Sequence, residues 1–279
     1  MNVRQGIFEQ LQATTNELPE KWIKFRQDLP HQKGELSKRN WGHPWHSICS
    51  YQGKLKPSIA HTLVDALLPE SGGIMLDPFS GVGTIPFEAR LKGHQAFAFD
   101  ISPTAIAISR SKLESFDVDS VLNELHSLDV WIKEHKFNAL SYDFSGVRFN
   151  GPLEDYFHPA TFAEIISARE YFLKHGYANP AKAMILSCLL HILHGNRPYA
   201  LSRRSHPITP FAPTGEAVQH SLIEKLETKL RRVLSSTVGE SYKSKAYNQD
   251  AAGIWPEEIH NLDAIITSPP FFDSTRFYS

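Results

Sequence analysis

Between Gly73 and Leu113 the sequence alternates apolar runs with turns marked by glycine and proline, and this rhythm limits the possible folds more than any other feature. Gly73-Ile-Met-Leu76 is a short apolar run that ends at Asp77-Pro78 and passes into Ser80-Gly-Val-Gly83-Thr84. That is the pattern of a buried strand entering a glycine turn. Ile85 to Leu91 reads as the following helix, stopped by Gly93; Gln95 to Phe99 reads as a second strand closed by Asp100-Ile-Ser-Pro103; Thr104 to Leu113 reads as a second helix. Strand, turn, helix, strand, helix predicts an α/β fold on a parallel sheet.

The flanking segments divide the chain into four stretches, 1–42, 43–117, 118–243 and 244–279. Residues 1–40 are polar and mixed, with a short helix expected in Gln5 to Thr15 and a basic, Trp-containing stretch at Lys21 to Arg26. Residues 41–57 combine Trp, His, Tyr and Lys with Pro and Gly, which is loop chemistry, and Pro57 opens a helix from Ser58 to Leu68. Four helices are expected in the third stretch, at Val121 to His135, Pro159 to His175, Ala181 to Leu193 and Glu216 to Leu234. Sheet character returns at Lys245 to Asp250 and at Leu262 to Thr267, which leads into Ser268-Pro-Pro-Phe271.

Composition removes several classes of function. With 41% hydrophobic residues and 29 Lys+Arg against 30 Asp+Glu, the chain is ordinary globular protein and neither disordered nor collagen-like. The N-terminal residues lack a basic segment followed by an apolar run, and the most apolar helix, Ala183 to Leu193, is too short for a bilayer and carries His191. A cytoplasmic protein with no membrane partner is the expectation. Cys49 and Cys188 show no CxxC spacing and read as buried or incidental thiols. A net charge of -1 means that nucleic-acid binding would need a local basic patch.

Two constellations carry chemistry. In Asp77-Pro-Phe79-Ser-Gly81-Val-Gly83-Thr84 the glycines let a ligand lie against the backbone, and Asp100, 19 residues after Gly81, stands where an acid can accept two hydrogen bonds from a ribose. That spacing fits a nucleoside-bearing cofactor. The third glycine of a dinucleotide turn is absent, since Pro86 stands nearby, and Asp77 at the strand tip would repel a pyrophosphate. A cofactor with an ammonium and a sulfonium is the better electrostatic match. The competing reading is a purely structural turn. The second constellation is Thr267-Ser268-Pro269-Pro270-Phe271, where a Pro-Pro pair makes a rigid kink with a free carbonyl beside an aromatic face. These are parts that can hold an exocyclic amine and stack a base; alone, they could equally end a strand.

Together the two motifs resemble those of the amino-methylating DNA methyltransferases that use S-adenosyl-L-methionine, in which an S-P-P tip is typical of the cytosine-N4 branch and D-P-P or N-P-P of adenine-N6 enzymes. Ser50-Tyr51-Gln-Gly-Lys54-Leu-Lys-Pro57 is similar to the family's segment that closes over the methionine end of the cofactor. The resemblance covers 43–113 and 246–275. It implies a Rossmann-like three-layer sandwich with a mostly parallel sheet and a helical insertion. Stretch 43–117 would be the cofactor-binding half, 118–243 the insertion with possible DNA contacts, and 244–279 the catalytic strand. It further implies that Asp77, Gly81 and Gly83 surround the methionine part, that Tyr51, Lys54, Phe79 and Thr84 also bind the cofactor, that Asp100 holds the ribose, and that Asp250 lies beside the adenine amino group. Ser268 and the Pro269 carbonyl would accept hydrogen bonds from the target amine next to Pro270, and Phe271 would stack on the base. The family usually has Tyr at that last position; Phe271 keeps the ring and loses the hydroxyl.

Double-stranded DNA is the implied partner, and His194, Arg197, Arg203, Arg204 and His206, interleaved with Tyr199, Ser202, Ser205 and Thr209, form the candidate phosphate- and base-contacting strip. A Pro-stiffened surface loop is the alternative. Glu224, Lys225, Glu227, Lys229, Arg231 and Arg232 read as a solvated helix face, and His43 and His46 beside Trp45 read as a packed aromatic loop with no acid at metal-ligand spacing. Sheets of the resembled family have seven strands, of which the S-P-P tip ends the fourth, and eight residues follow Phe271. The resemblance therefore implies a sheet incomplete at the C-terminus, completed by a second polypeptide or belonging to a fragment, with Ile265 and Ile266 on a raw edge. Adenine-N6 or RNA guanine-N2 methylation, and a non-catalytic DNA-binding chain, are the alternatives.

Overall fold

The computed structural model describes residues 20–70, 72–135, 153–193, 197–202, 215–236, 238–239 and 243–269. The chain divides into two compact units, one formed by Met1–His46, Gln52–Ser109 and Gly239–Ser279, the other by Ser47–Tyr51 and Arg110–Val238. The expected helix at Gln5 to Thr15 lies outside the described residues.

The first unit is built on a parallel sheet. Its strands are β1 (Ile74–Asp77), β2 (Gln95–Asp100), β3 (Lys245–Asn248) and β4 (Ala264–Ile265), in the order β3-β2-β1-β4 among the described residues. Met75 and Leu76 of β1 pair with Ala96 and Phe97 on one side and with Ala264 and Ile265 on the other. Strands β1 and β2 alternate their side chains between two buried faces, which is why they read as continuous apolar runs. On one face Met75 and Ala96 pack with Ala60, Val64 and Leu68, at and just after helix α1 (Pro57–Leu67), and with Ile85 and Ala89 of α2 (Thr84–Leu91). On the other, Leu76, Phe97 and Phe99 meet Ile259, Tyr247, Trp255 and Leu262. The 249–262 segment thus covers the second face where a helix could have stood.

Pro57 starts α1 at a position whose N–H would have no helical partner, and Pro86 is tolerated in the first turn of α2 for the same reason. Helix α3 (Pro103–Leu113) follows β2. Strand β4 is shorter than the Leu262 to Thr267 run suggested, and it is an edge strand among the described residues. Ile265 is half exposed there, but Ile266 is buried in the α1–α2 core, so only the first of the two isoleucines is on a raw edge.

The second unit is helical: α4 (Val118–Glu134), α5 (Pro159–His175), α6 (Pro180–Ile192) and α7 (Leu222–Leu234). Helix α4 packs on α5 and α6, and α6 on α7. Side-chain caps set all four starts, with Asp117, His158, Asn179 and Ser221 accepting from backbone N–H groups of the first turn. The Ser221 cap explains why α7 begins at Leu222 and not at Glu216. Lys229 corrects the reading of a solvated face, because it is buried. Leu222, Leu226, Lys229, Leu230 and Val233 lie on one helical stripe, so position 229 faces inward. The Lys229 ammonium donates to the Ser47 carbonyl at 3.0 Å and lies over the Tyr199 ring. Burial lowers its pKa to about 8. Cys49 and Cys188 are buried thiols that form no disulfide among the described residues, and no helix among those residues is long and apolar enough to cross a membrane.

Candidate functional site

The sheet order places β1 between β2 and β4: the chain runs from β1 through β2 to β3 on one side and then crosses over to β4 on the other. A crevice opens at the carboxyl ends of such neighbouring strands. Asp77 ends β1 there, and Thr267 and Ser268 follow β4. The Thr267 hydroxyl donates to Asp77 Oδ1 at 2.7 Å, across 190 residues of sequence. Ser268 and Pro269, directly after it, are exposed.

The glycine turn is held by a set of local bonds. Ser80 donates from its N–H and its hydroxyl to the Phe99 carbonyl at 2.9 and 3.0 Å. Gly81 N–H donates to Asp100 Oδ2 at 2.9 Å, Ser102 N–H donates to Asp100 Oδ1 at 2.8 Å, and the Ser109 hydroxyl donates to the Gly81 carbonyl at 2.9 Å. Gly81 and Gly83 both have left-handed φ, +50° and +65°. A Cβ at Gly83 would stand 2.8 Å from Ser109 Oγ, whereas one at Gly81 would meet nothing within 4 Å. Gly83 is therefore required by packing, and Gly81 leaves open space above the turn. Thr84, the first residue of α2, is buried, and Phe79 is 45% exposed at the mouth of the turn.

Asp77 is 2% exposed. Burial raises its carboxyl to about 7; hydrogen bonds from Thr267 and from the Phe79 N–H work against that rise, and the nearby Asp100 adds to it. Both of these donors meet Oδ1. Among the described residues no hydrogen bond reaches Oδ2. A buried acid with one open oxygen, facing a second acid, favours a cation and disfavours a phosphate. Asp100 retains acceptor capacity, since a carboxylate offers about four lone-pair sites and two are engaged. An ammonium at Asp77 and a ribose at Asp100 both fit these residues.

The other expected residues are placed less closely. Lys54 is half-buried, and its ammonium donates to the His46 carbonyl at 2.6 Å. Tyr51 belongs to the second unit. Asp250 is exposed after β3, where its side chain accepts from Ala252 N–H at 2.9 Å and its carbonyl from Gly253. Arg197 is exposed in the second unit, with its guanidinium against His191 and near Tyr199. Tyr199 and Ser202 are buried, which corrects their reading as phosphate-facing groups in the strip. Pro270, Phe271, His194, Arg203, Arg204, Ser205, His206 and Thr209 lie outside the described residues.

The aromatic loop does pack, with His43, Trp45 and His46 against Phe87. An acid, Glu88, meets this loop, although the described residues include no group of three side chains that could hold a metal ion. Glu88 Oε1 is 2.6 Å from His46 Nε2, and its Oε2 is 2.9 Å from His61 Nδ1. Burial works to raise the Glu88 carboxyl, but its bonds to the two histidines outweigh burial and hold it below the usual range. Thr267 and Ser109 are the contributors that sequence reasoning did not assign. Thr267 stood in the tip motif without a role; Ser109 had no local signal, because its part is to meet Gly81 from another helix.

Residues 44–133 match the RMKL-like methyltransferase domain family, UPF0020. This segment contains the glycine turn, Asp77 and Asp100, and the parallel sheet with its helices is a methyltransferase-like α/β fold. The chain is also similar to the type II methyltransferase M.BsoBI of Geobacillus stearothermophilus, at 22% identity over 270 residues that cover 84% of this chain and 51% of the relative. It thus spans about half the length of that curated relative. No solved structure matches the chain.

Proposed function

We propose that this protein transfers a methyl group from S-adenosyl-L-methionine to the exocyclic N4 amine of cytosine in double-stranded DNA, as a modification enzyme of restriction-modification type. The observation that carries the reading is the Thr267–Asp77 bond at the point where the strand order reverses. It sets the Ser268-Pro269 tip beside an acid suited to an ammonium. The similarity to a type II methyltransferase supports the same reading.

In this reading the open Asp77 Oδ2 takes the cofactor's ammonium, Gly81 leaves room for its chain, and Asp100 takes the ribose hydroxyls. The bound cofactor supplies a methyl group already activated by its sulfonium. The protein's task is to present the amine. Ser268 Oγ and the Pro269 carbonyl accept its two hydrogens, which favours the pyramidal nitrogen reached in the transition state over the planar, conjugated one. With the amine so held, a nitrogen–carbon bond would form as the methyl carbon–sulfur bond broke, leaving a neutral thioether, and the surplus N4 proton would pass to water. A stacked base cannot reach the tip, so the cytosine is flipped out at a cost of a few kcal/mol, with Phe271 as its stacking partner. Arg197, Arg203, Arg204 and His206 are the proposed DNA contacts.

The test is transfer of a labelled methyl group from the cofactor to duplex DNA, followed by digestion to nucleosides and mass spectrometry. N4-methylcytosine is expected. N6-methyladenine would replace the cytosine assignment, and absence of transfer to any duplex would favour a non-catalytic DNA-binding role.

A further inference from the structure

Thr267 lies outside every group of residues assigned above to cofactor, base or DNA, yet its hydroxyl makes the side-chain hydrogen bond that joins the end of β4 to the end of β1 among the described residues. Its hydroxyl meets Asp77 Oδ1, the same oxygen that accepts from Phe79 N–H, and so leaves Oδ2 turned away from both donors. The carboxylate is thereby held in one orientation from two sides. Thr267 is also adjacent to Ser268 and one residue further from Pro269, so the same bond anchors the tip. Strand β4 has only Ala264 and Ile265 in its ladder, with Ile266 N–H donating to the Leu76 carbonyl beyond it. Past that point the backbone is no longer held by β1, and the Thr267 side chain takes over the tether.

We propose that Thr267 is a positioning residue that couples the two halves of the site: its hydroxyl orients the Asp77 carboxylate toward the cofactor and fixes the Ser268-Pro269 tip relative to it. This rests on the reading of Asp77 as the cofactor's acid and of the tip as the amine acceptor. The link is a device of side chains, because a threonine is the β-branched residue that suits a strand end and still carries a donor. Valine has the same shape without the donor; serine has the donor without the methyl.

The test compares Thr267→Val and Thr267→Ser with the wild type in two measurements. The first is the titration of the Asp77 carboxyl by carbon-13 NMR without cofactor. Among the described residues the charged group whose field reaches Asp77 is Asp100, which is unchanged in both variants. Loss of the donor moves the midpoint above about 7 in the Val variant, and the Ser variant stays near the wild type. The second is methyl transfer with S-adenosyl-L-methionine across pH. At pH 7 the Val variant shows a cofactor KM raised about tenfold or more, the size of a lost hydrogen bond to a charged group. That excess shrinks at higher pH as Asp77 ionises, while kcat stays depressed at every pH because the tip is untethered. Val and wild type alike in titration would overturn the Thr267–Asp77 link. A shifted titration with unchanged KM and kcat would overturn the positioning role. A wild type that binds no cofactor would remove the functional reading and the positioning role with it, and the titration would still decide the link.

Discussion

Replacing Asp77 by Asn should make the protein more stable near pH 8 while abolishing cofactor binding. Asp77 is almost fully buried, and its carboxyl rises from an ordinary 3.8 to about 7. The folded state therefore holds a proton that the unfolded chain has lost between these values. In that window the folded protein binds more protons than the unfolded one, so Asp77 makes stability fall as pH rises from about 4 to 7. At about 1.4 kcal/mol per pH unit, the cost of the ionised acid reaches about 4 kcal/mol above pH 7. Asn keeps an oxygen that can accept from Phe79 N–H and Thr267 Oγ1 and carries no charge to bury. Urea denaturation of both proteins at pH 5, 6, 7 and 8 measures the difference directly. The Asn variant should gain on the wild type with each step and lead by about 2–4 kcal/mol at pH 8. S-adenosyl-L-methionine should raise the wild-type midpoint and leave that of the variant unmoved, since the ammonium has lost its partner. A difference that is flat across this range, or an Asn variant less stable at pH 8, would refute the account of Asp77 as a strained acid held for a cation.

The two turn glycines should separate stability from binding. Gly83→Ala forces a Cβ against Ser109 Oγ at a left-handed φ and should cost more than the about 1–2 kcal/mol expected from backbone strain alone, whereas Gly81→Ala meets no neighbour and should cost about that much. Thermal melting reads the first effect, and cofactor titration should find Gly81→Ala folded but weakened in binding. In the helical unit, Lys229 ionises near 8 in the folded chain against an ordinary 10.5, so the unfolded chain holds more protons between these values. Wild-type stability relative to Lys229→Met should therefore rise by about 3 kcal/mol as pH goes from 8 to 10.5; a constant difference would show that the ammonium is not desolvated.

Much of the first unit was legible because its signals are local. The apolar runs at 74–77 and 95–100, the glycines with positive φ, and the prolines at helix starts each act through neighbours a few residues away. Boundaries shifted where a cap decided them, as at Ser221, whose hydroxyl stops the helix from starting earlier. Lys229 was misread because charge was weighed above periodicity, although its spacing from Leu222 and Leu226 already placed it on the buried stripe. Ile266 was placed on an open edge because strand pairing was considered without the helices that cover one face.

From sequence alone follow the α/β rhythm, the turn chemistry and the residue types on which the proposed cofactor site rests, because backbone conformation and charge are properties of short segments. Tertiary structure alone decided that β4 lies beside β1, that Thr267 bonds to Asp77, that Glu88 answers His46, and that Asp77 is buried enough to resist ionisation. Each of these joins residues distant in the chain, and both hydrogen bonding and desolvation depend on distance in space.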